Sequence, residues 1–360
     1  MFPSIAADIN IFFIVFLALG VGIISGFAGV GGGFFVTPGL IIIGFPANIA
    51  VGTSLTWIAG NSIIGVLRHR RLGNVDTKLG LVTILPAMGG MEVGVRILNR
   101  ATNMGVADET VLLISICVLL IVGVYTLRES IIRKRQLDKM LPRQGEESPT
   151  IQGKGIAHRI QNIKIPPALY FAKSGVTVSL WIILAIGFTA GVLAGVIGVG
   201  GGFIMVPSLI YLVGLPSFTA VGTDLFQIIF SATYGGIRHS MNGNVVIFAA
   251  FIMLLASFLG VQFGALVTRY VRGLSVRYLL GVAVVIVAVG AAFKLLGILS
   301  EKPFGRLDIW SVAVIFGGLS LMVIMVITLF VLALRYRRGQ RIPVWAETFM
   351  AKNKVVEGEE

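Results

Sequence analysis

The sequence has few charged residues for its length. Only 12% of its 360 residues are Asp, Glu, Lys or Arg, whereas 56% are hydrophobic. Soluble domains contain about 25% charged residues, so a water-soluble fold of this size could not cover its surface. The shortage excludes a soluble enzyme or binding domain. It predicts an all-α, polytopic membrane protein, because the apolar runs reach the length that a spanning helix needs.

The sequence also lacks the residues that catalytic and metal sites need. Its single cysteine, Cys117, cannot form an intrachain disulfide. Its three histidines are scattered along the chain, and no zinc-ligand spacing, nucleophile elbow or Walker motif is present. We therefore expect no enzymatic activity, no metal and no cofactor.

Acidic residues are scarce as well. There are 16 of them against 29 Lys and Arg, which gives a net charge of +13. Such an excess can indicate nucleic-acid binding, but here the basic residues lie in loops between apolar runs, as the positive-inside rule describes. We therefore expect the lipid bilayer, and no nucleic acid, as the partner. Residues 1–10 contain no Lys or Arg, so the first apolar run lacks a signal peptide's basic start and is expected to be retained.

What the sequence does contain is an internal repeat. Gly29–Phe34 recurs letter for letter as Gly198–Phe203 at an offset of 169 residues, and after one inserted residue the offset becomes 170. A fixed offset over some 70 residues indicates a duplication. The matching segments after the insertion are Gly44–Pro46 with Gly214–Pro216, Ala50–Thr53 with Ala220–Thr223, Arg68–His69 with Arg238–His239, and Gly73–Val75 with Gly243–Val245.

The apolar runs predict the domain organisation. The runs at 34–45 and 203–215 directly follow the glycine motif and are too short to span a bilayer. Each repeat is therefore predicted to be a broken or re-entrant helical hairpin plus three transmembrane helices. The predicted divisions are repeat 1 at 11–128, a basic linker at 129–176, repeat 2 at 177–297, one extra transmembrane helix at 309–334 and a tail at 335–360.

The charges of the loops predict the orientation. The basic bias falls on opposite loops in the two repeats, which indicates two inverted repeats. The linker at 129–176 and the C-terminal tail are rich in Lys and Arg, so both are predicted to be cytoplasmic. The N-terminus is then external.

The repeated residues also carry a family resemblance. The doubled Gly-x-Gly-Gly-Gly-Phe-x-x-x-Pro, with the Gly-x-Pro turn, Ala-Val-Gly-Thr and Arg-His that follow, resembles the sulfite exporter TauE/SafE family, also called TSUP. The resemblance covers about 11–130 and 178–298. It implies an inner-membrane permease for a small sulfur-containing anion, such as sulfite or an organosulfonate. The long basic linker and the extra C-terminal span depart from the family pattern.

The glycine motifs are the first candidate for a substrate site. Glycine lets a backbone approach a ligand closely and adopt positive φ. Two helix breaks that met at mid-membrane would aim backbone N–H groups and helix N-termini at one anion. Tight helix packing is the alternative. The predicted contacts are Gly29, Gly31, Gly32, Gly33, Gly198, Gly200, Gly201 and Gly202.

A polar stripe follows each glycine motif. In the first repeat, Thr53, Trp57 and Asn61 are spaced by four residues, which places them on one helix face, and Ser54 lies beside them. Neutral donors at matching positions in both repeats suit a sulfonyl oxygen, and interhelical hydrogen bonds are the alternative. The predicted contacts are Thr53, Ser54, Trp57 and Asn61 in the first repeat, with Thr223, Gln227 and Ser231 in the second.

Charged residues near these stripes are candidates for coupling or gating. Asp224 aligns with Ser54, and an intramembrane acid is costly and points to function. It relays a proton or, alternatively, caps a helix that begins after Gly222.

Arg-His pairs at the far ends of the same helices are the other coupling or gating candidates. They attract anions or titrate near neutral pH, or else anchor the helices at the interface. These pairs are Arg68 with His69 and Arg238 with His239. Glu92 and Arg96, four residues apart on one helix, are expected to pair with each other.

Three functions are compatible with these features. The leading one is a secondary transporter that works by alternating access between the two repeats, with proton coupling as an option. A passive anion channel and a non-transporting membrane scaffold acting through the linker at 129–176 are the alternatives. A homo-oligomer is compatible with all three.

Overall fold

The computed structural model describes residues 11–28, 32–71, 73–140, 166–267, 273–300 and 306–338, with 340 and 343. The first half of the chain contains α1 (Ile11–Ala28), α2 (Gly33–Ile42), α3 (Ala47–Arg71), α4 (Thr77–Asn103) and α5 (Ala107–Met140). The second half contains the strands β1 (Ala168–Phe171) and β2 (Val176–Ser179), then α6 (Leu180–Ile197), α7 (Gly202–Ser208) with a π turn (Leu209–Val213), α8 (Ser217–Met241), α9 (Ile247–Val267), α10 (Gly273–Leu299) and α11 (Arg306–Arg337).

Seven of the described helices are long and apolar enough to cross a membrane, namely α3, α4, α5, α6, α9, α10 and α11. The prediction of an all-α polytopic membrane protein is confirmed. The helices that follow the two glycine motifs, α2 and α7 with its π turn, are short and apolar. Each glycine motif therefore lies between an apolar helix and a second helix too short to span a bilayer.

The two repeats do not fold as separate bundles, because helices of one repeat pack against helices of the other. In each repeat the first helix packs against the fourth helix of the other repeat, so α1 contacts α9 and α6 contacts α4. Glycines make both contacts close, because Gly264 lies against the backbone of α1 and Gly191 against that of α4, without room for a side chain. The neighbours along each pair advance in the same direction, so both pairs are parallel.

Equivalent helices of the two repeats pack against each other, α3 on α8 and α5 on α10. Both pairs are antiparallel. Gly52, near the start of α3, lies against His239 and the Asn244 carbonyl at the end of α8. Gly123 of α5 contacts Val284, whereas Gly281 of α10 contacts Leu127. This arrangement is what a pseudo-two-fold axis perpendicular to the helices produces.

The residue inserted in the second repeat forms the π turn. Gly33 and Gly44 bound the short helix of the first repeat, and Gly202 and Gly214 bound its counterpart, which is one residue longer. The first repeat has a regular α2, while the second changes from α-helix to a π turn at Leu209. A π turn accommodates an extra residue without ending the helix.

The boundaries of the predicted linker differ from the structure. The helix α5 continues to Met140, past the expected end of repeat 1 at 128, and a β-hairpin occupies 168–179 inside the expected linker and the start of repeat 2. Phe171, Val176 and Val178 of the hairpin are buried in one hydrophobic cluster with residues of α6, α7 and its π turn. The segment 141–165 lies outside the described residues.

Candidate functional site

The two glycine motifs meet at one place in the structure. The rings of Phe34 and Phe203, the aligned phenylalanines, pack with centroids 5.3 Å apart. Gly33 lies against the carbonyl of Val199, so a side chain there would collide with the other repeat's motif. The sequence predicts that the two helix breaks meet and together form one substrate site. Gly29 and Gly31 lie outside the described residues.

A second contact fixes the two motifs to each other. Thr37, on α2, donates its hydroxyl hydrogen to the carbonyl of Gly198 at 3.2 Å. Its hydroxyl oxygen also occupies the space that a side chain on Gly198 would need. The glycines at this place therefore serve close packing between the repeats as well as any role in binding.

Both short helices begin at a glycine in the left-handed conformation. Gly32 (φ 71°) precedes α2 and Gly201 (φ 78°) precedes α7, and neither start has a side-chain hydrogen-bond cap. Gly200, one residue earlier in the second motif, also has a positive φ, at 80°. Residues other than glycine rarely adopt this backbone conformation. The breaks thus present uncapped helix starts to the place where the motifs meet.

Two threonines of the polar stripes hold the repeats together. Thr53, on α3, accepts a hydrogen bond from the backbone N–H of Val246 at 3.1 Å. Thr223, the aligned residue on α8, accepts one from the backbone N–H of Asp76 at 2.9 Å. Both hydroxyls are buried. Both hydrogen bonds join the two repeats, as in the packing alternative that the sequence left open, and contact of these threonines with a ligand stays a prediction.

The same two places involve the other repeated letters. Gly73 and Gly243 have positive φ, and the residues after them, Asn74 and Asn244, donate their N–H groups back to the carbonyls of His69 and His239, as at the glycine-terminated ends of many helices. The carbonyl of Asn74 then lies against Gly222, as that of Asn244 does against Gly52. We call each such contact, from the end of one repeat's third helix to the start of the other's, a clamp.

Trp57 is also used in packing. Its indole Nε1 donates to the hydroxyl of Ser257 on α9 at 2.9 Å, and this hydroxyl donates to the carbonyl of Leu254. The ring is buried in the main core cluster. Gln227 and Ser231, the predicted residues of the second stripe, are buried on α8.

Within the polar stripes, Ser54, Asn61 and Asp224 each carry a buried polar atom without a hydrogen-bond partner among the described residues. These atoms are the hydroxyl of Ser54, the amide oxygen of Asn61 and Oδ1 of Asp224. All three residues are buried, Asp224 to 3% exposure. Because burying a polar group without a partner costs free energy, these atoms are the candidates within the stripes for contact with water or a ligand.

Asp224 lies beside the second helix break. A side chain on Gly202, the first residue of α7, would collide with its Oδ2. The capping alternative for Asp224 is wrong, because α8 begins at Ser217 and Asp224 lies well inside the helix. Asp224 therefore lies within α8, away from its ends, and its carboxyl group faces the glycine motif.

The second Arg-His pair, Arg238 with His239, makes contacts within the protein. Arg238 forms a two-fold hydrogen bond with the carboxylate of Glu92 on α4, through Nε at 2.7 Å and Nη2 at 3.0 Å. His239 is fully buried and packs on Gly52. His69 is half-buried and packs on Gly222 in the equivalent clamp. Nothing is described of the Arg68 side chain.

Glu92 is the centre of a charged network that the sequence showed only in part. The expected pair with Arg96 is present, with Nε donating to Oε1 at 2.9 Å. The hydroxyl of Tyr234 also donates to Glu92, at 2.9 Å. The separation of 146 residues between Glu92 and Arg238 explains why no local spacing rule could find their contact.

A small apolar pocket opens beside the second break. It lies between α5, the end of α6 and the start of α7, and its lining is almost entirely hydrocarbon. It is lined by Val118, Leu193, Ile197, Val199, Phe203 and Ile204.

Broken helices that meet within a helical, polytopic protein are a feature of many membrane transporters. The family model described as "Sulfite exporter TauE/SafE" matches residues 14–293, and the chain belongs to this family. The resemblance that the repeated motifs indicated is therefore confirmed.

Related proteins agree with the class of membrane transporters. "Probable membrane transporter protein YunE" of Bacillus subtilis (strain 168) is 24% identical over 288 residues, covering 76% of this chain and 95% of that relative. "Probable membrane transporter protein YjnA" of the same organism is 27% identical over 254 residues, covering 70% of this chain and 88% of its own. "Sulfite exporter TauE/SafE family protein 5" of Arabidopsis thaliana is 30% identical over 132 residues, 35% of this chain and 27% of its own. No solved structure is significantly similar to the chain.

Proposed function

We propose that the protein is a secondary transporter that moves a small sulfur-containing anion, such as sulfite or an organosulfonate, across the inner membrane by alternating access. The observation that carries this proposal is the meeting of the two glycine motifs, with the buried carboxyl group of Asp224 beside one of them. Interrupted helices that meet inside a membrane are where many transporters bind their substrates. The family name supports a sulfur oxyanion as the substrate class.

The proposed site uses backbone and neutral groups. The helix starts at Gly33 and Gly202 offer unpaired N–H groups and a partial positive charge. Ser54 and Asn61 add a hydroxyl and an amide with an unpartnered oxygen. We propose that the anion lies among these groups. We propose that the other predicted contacts among the described residues line the surrounding walls, namely Gly32, Gly198, Gly200, Gly201, Thr53, Trp57, Thr223, Gln227 and Ser231.

Alternating access requires that the two repeats take opposite roles on the two sides of the membrane. The antiparallel contacts of α3 with α8 and of α5 with α10 support an inverted arrangement of the repeats. The clamps at the two ends of the α3–α8 pair are equivalent, so either can open while the other stays closed. Close packing of Phe34 on Phe203 favours this mechanism over a permanently open channel.

The orientation follows from the loop charges. We propose an external N-terminus, with the linker at 129–176 and the C-terminal tail in the cytoplasm, because basic residues concentrate in those two segments. The β-hairpin and the π turn of α7 then lie on the cytoplasmic side. Arg238 and its network with Glu92 lie towards the external side.

Asp224 is the proposed coupling residue. Its carboxyl group faces Gly202 and lacks a partner for Oδ1 among the described residues. A charge in this place is costly unless it is neutralised, so binding and release of a proton there would accompany the movement of the anion.

Flux into proteoliposomes tests the proposal. The purified protein is reconstituted, and uptake of sulfite, methanesulfonate, thiosulfate and sulfate is measured with and without a pH gradient. We expect saturable flux of at least one sulfur anion, and a strong loss for Ser54→Ala with an unchanged amount of folded protein. A conductance that does not saturate would favour the passive channel. If no sulfur anion moves and none raises the unfolding temperature, the substrate class is wrong.

A further inference from the structure

The turn of the β-hairpin is bonded to one of the two clamps. The hydroxyl of Ser174, half-buried at this turn, donates to Oδ2 of Asp76 at 2.6 Å. Asp76 is 2% exposed and belongs to the clamp at Gly222, because its N–H donates to the hydroxyl of Thr223. Its other carboxylate oxygen, Oδ1, accepts the N–H of Leu79 and so caps α4. One carboxylate therefore joins the hairpin to the first turn of α4 at the Gly222 clamp.

The hairpin also packs beside the helices that form this clamp. Its buried side chains belong to one hydrophobic cluster with Leu79 of α4 and Ala220 of α8. Leu79 comes three residues after Asp76, and Ala220 comes two residues before Gly222. The second strand of the hairpin runs directly into α6. The hairpin therefore links α6 with the beginnings of both helices that meet at the Gly222 clamp.

The clamp at Gly52 shows which of these contacts a clamp requires. At the offset of 170 residues, Asp76 corresponds to Val246. The N–H groups of both residues donate to a threonine of the other repeat, but the side chain of Val246 cannot accept a hydrogen bond. A clamp thus forms without the carboxylate. The carboxylate of Asp76 serves the start of α4 and the hairpin instead.

The bond between Ser174 and Asp76 is of a strong kind. Its length of 2.6 Å is that of a hydrogen bond from a hydroxyl to an ionised oxygen, and such bonds are about twice as strong as neutral ones. The Gly52 clamp has an additional bond of its own, from the amide of Asn48 to that of Asn244 at 2.7 Å, but both groups are neutral. Moving α4 away from α8 at the Gly222 clamp would either break the charged contact or pull the hairpin out of its hydrophobic cluster.

We propose that the β-hairpin stabilises the Gly222 clamp in its closed form and so limits how often this side of the protein opens. The proposal rests on alternating access, in which each clamp opens in turn, and the proposed orientation places the Gly222 clamp on the cytoplasmic side. A hydrogen bond to an ionised group contributes enough free energy to change an equilibrium about tenfold or more. Loss of the Ser174 hydroxyl should therefore raise the population of the state that is open at Gly222 about tenfold.

The reactivity of a buried cysteine reports the opening of each clamp. Ala220 and its counterpart Ala50 are both 0% exposed, so Ala220→Cys and Ala50→Cys are matched reporters at the two clamps. The background is Cys117→Ser, because Cys117 is the only cysteine. The rate of labelling by N-ethylmaleimide is measured on the purified protein in mild detergent. We expect Ser174→Ala to raise this rate about tenfold at Ala220→Cys, without raising it at Ala50→Cys.

Two further variants of the hairpin separate the bond from a general loosening of the protein. Ser174→Thr keeps a hydroxyl group, and Thr177→Ala changes an exposed residue of the same hairpin, so both should keep the wild-type labelling rate. The proposal is overturned if Ser174→Ala leaves the rate at Ala220→Cys unchanged, if it raises the rates at both reporters alike, or if Ser174→Thr behaves like Ser174→Ala.

Labelling requires no substrate, so its result is independent of the flux assay. An unchanged labelling rate in a protein that transports a sulfur anion would refute the role of the hairpin alone. A labelling rate that rises as expected in a protein that moves no sulfur anion would refute the substrate class alone.

Discussion

Replacing Thr223 by valine tests whether the polar stripes hold the two repeats together. Valine has nearly the shape of threonine, so the change removes the acceptor for the N–H of Asp76 without opening a cavity. That N–H then remains buried without a partner, because Asp76 is 2% exposed. An unsatisfied buried donor costs about 1–3 kcal/mol, and we expect the free energy of unfolding to fall by this amount.

The equivalent change Thr53→Val should have a similar effect, because it leaves the N–H of Val246 without its acceptor. The two clamps lie at opposite ends of the antiparallel α3–α8 pair, roughly 20 Å apart by helix rise. Effects of sites this distant add. The double variant should therefore lose about 2–6 kcal/mol.

Thr56→Val is the matched control. Thr56 lies on the same helix, but its hydroxyl donates to the Gly52 carbonyl within its own helix, so its loss leaves no buried donor unpaired. The assay is unfolding of the purified protein by SDS in mixed micelles, followed by circular dichroism, beside flux in proteoliposomes. If Thr223→Val matches the control in stability but abolishes flux, the threonine contacts the substrate and the clamp reasoning is refuted.

Three further predictions concern packing, charge and coupling. Gly264→Ala should separate α1 from α9 and lower the free energy of unfolding by about 1–3 kcal/mol. The control is Gly44→Ala, whose side chain would meet nothing within 4 Å, so it should cost only the strain of its positive φ, about 1–2 kcal/mol. Thermal unfolding compares the two variants. Glu92→Gln should cost about 1–3 kcal/mol, because Arg238 loses a charged partner, and Arg96→Gln should cost under 1 kcal/mol, because that pair is largely exposed; SDS unfolding compares the two. Asp224→Asn should leave flux unchanged between pH 6 and pH 8 if Asp224 carries the coupled proton, and a mutant flux that still follows the wild-type pH profile would exclude that role.

The repeated letters predicted much of the fold. Hydropathy identified the spanning helices, and the short runs after each glycine motif predicted α2 and α7. The repeated sequence alone could not show which segments of the two repeats contact each other. The repeated Gly-Thr and Gly-Asn pairs would be the same whether each repeat packed on itself or on the other repeat. Only the structure shows that Gly52 packs against the carbonyl of Asn244 and Gly222 against the carbonyl of Asn74.

Other features had signals that sequence reasoning did not use. The β-hairpin has Ser174-Gly175 between runs rich in aromatic and β-branched residues, a pattern typical of a hairpin. The change of offset from 169 to 170 located the inserted residue, and the π turn is its structural consequence. The contact of Glu92 with Arg238 had no such signal, because it joins helices of different repeats.

The structure divides the repeated residues by task. Gly52, Thr53 and Asn74, with their counterparts, are used in the clamps, and these contacts must be alike at both ends if the two halves are to exchange roles. Ser54 and Asp224 occupy aligned positions in the stripes, yet one is neutral and the other acidic. A purely symmetric transporter would have inward-facing and outward-facing states of equal free energy, and each kcal/mol of difference changes their ratio about fivefold. Under the proposed alternating access, the positions where the repeats differ are therefore where direction and coupling are to be sought, and the residues that they share would maintain the exchange.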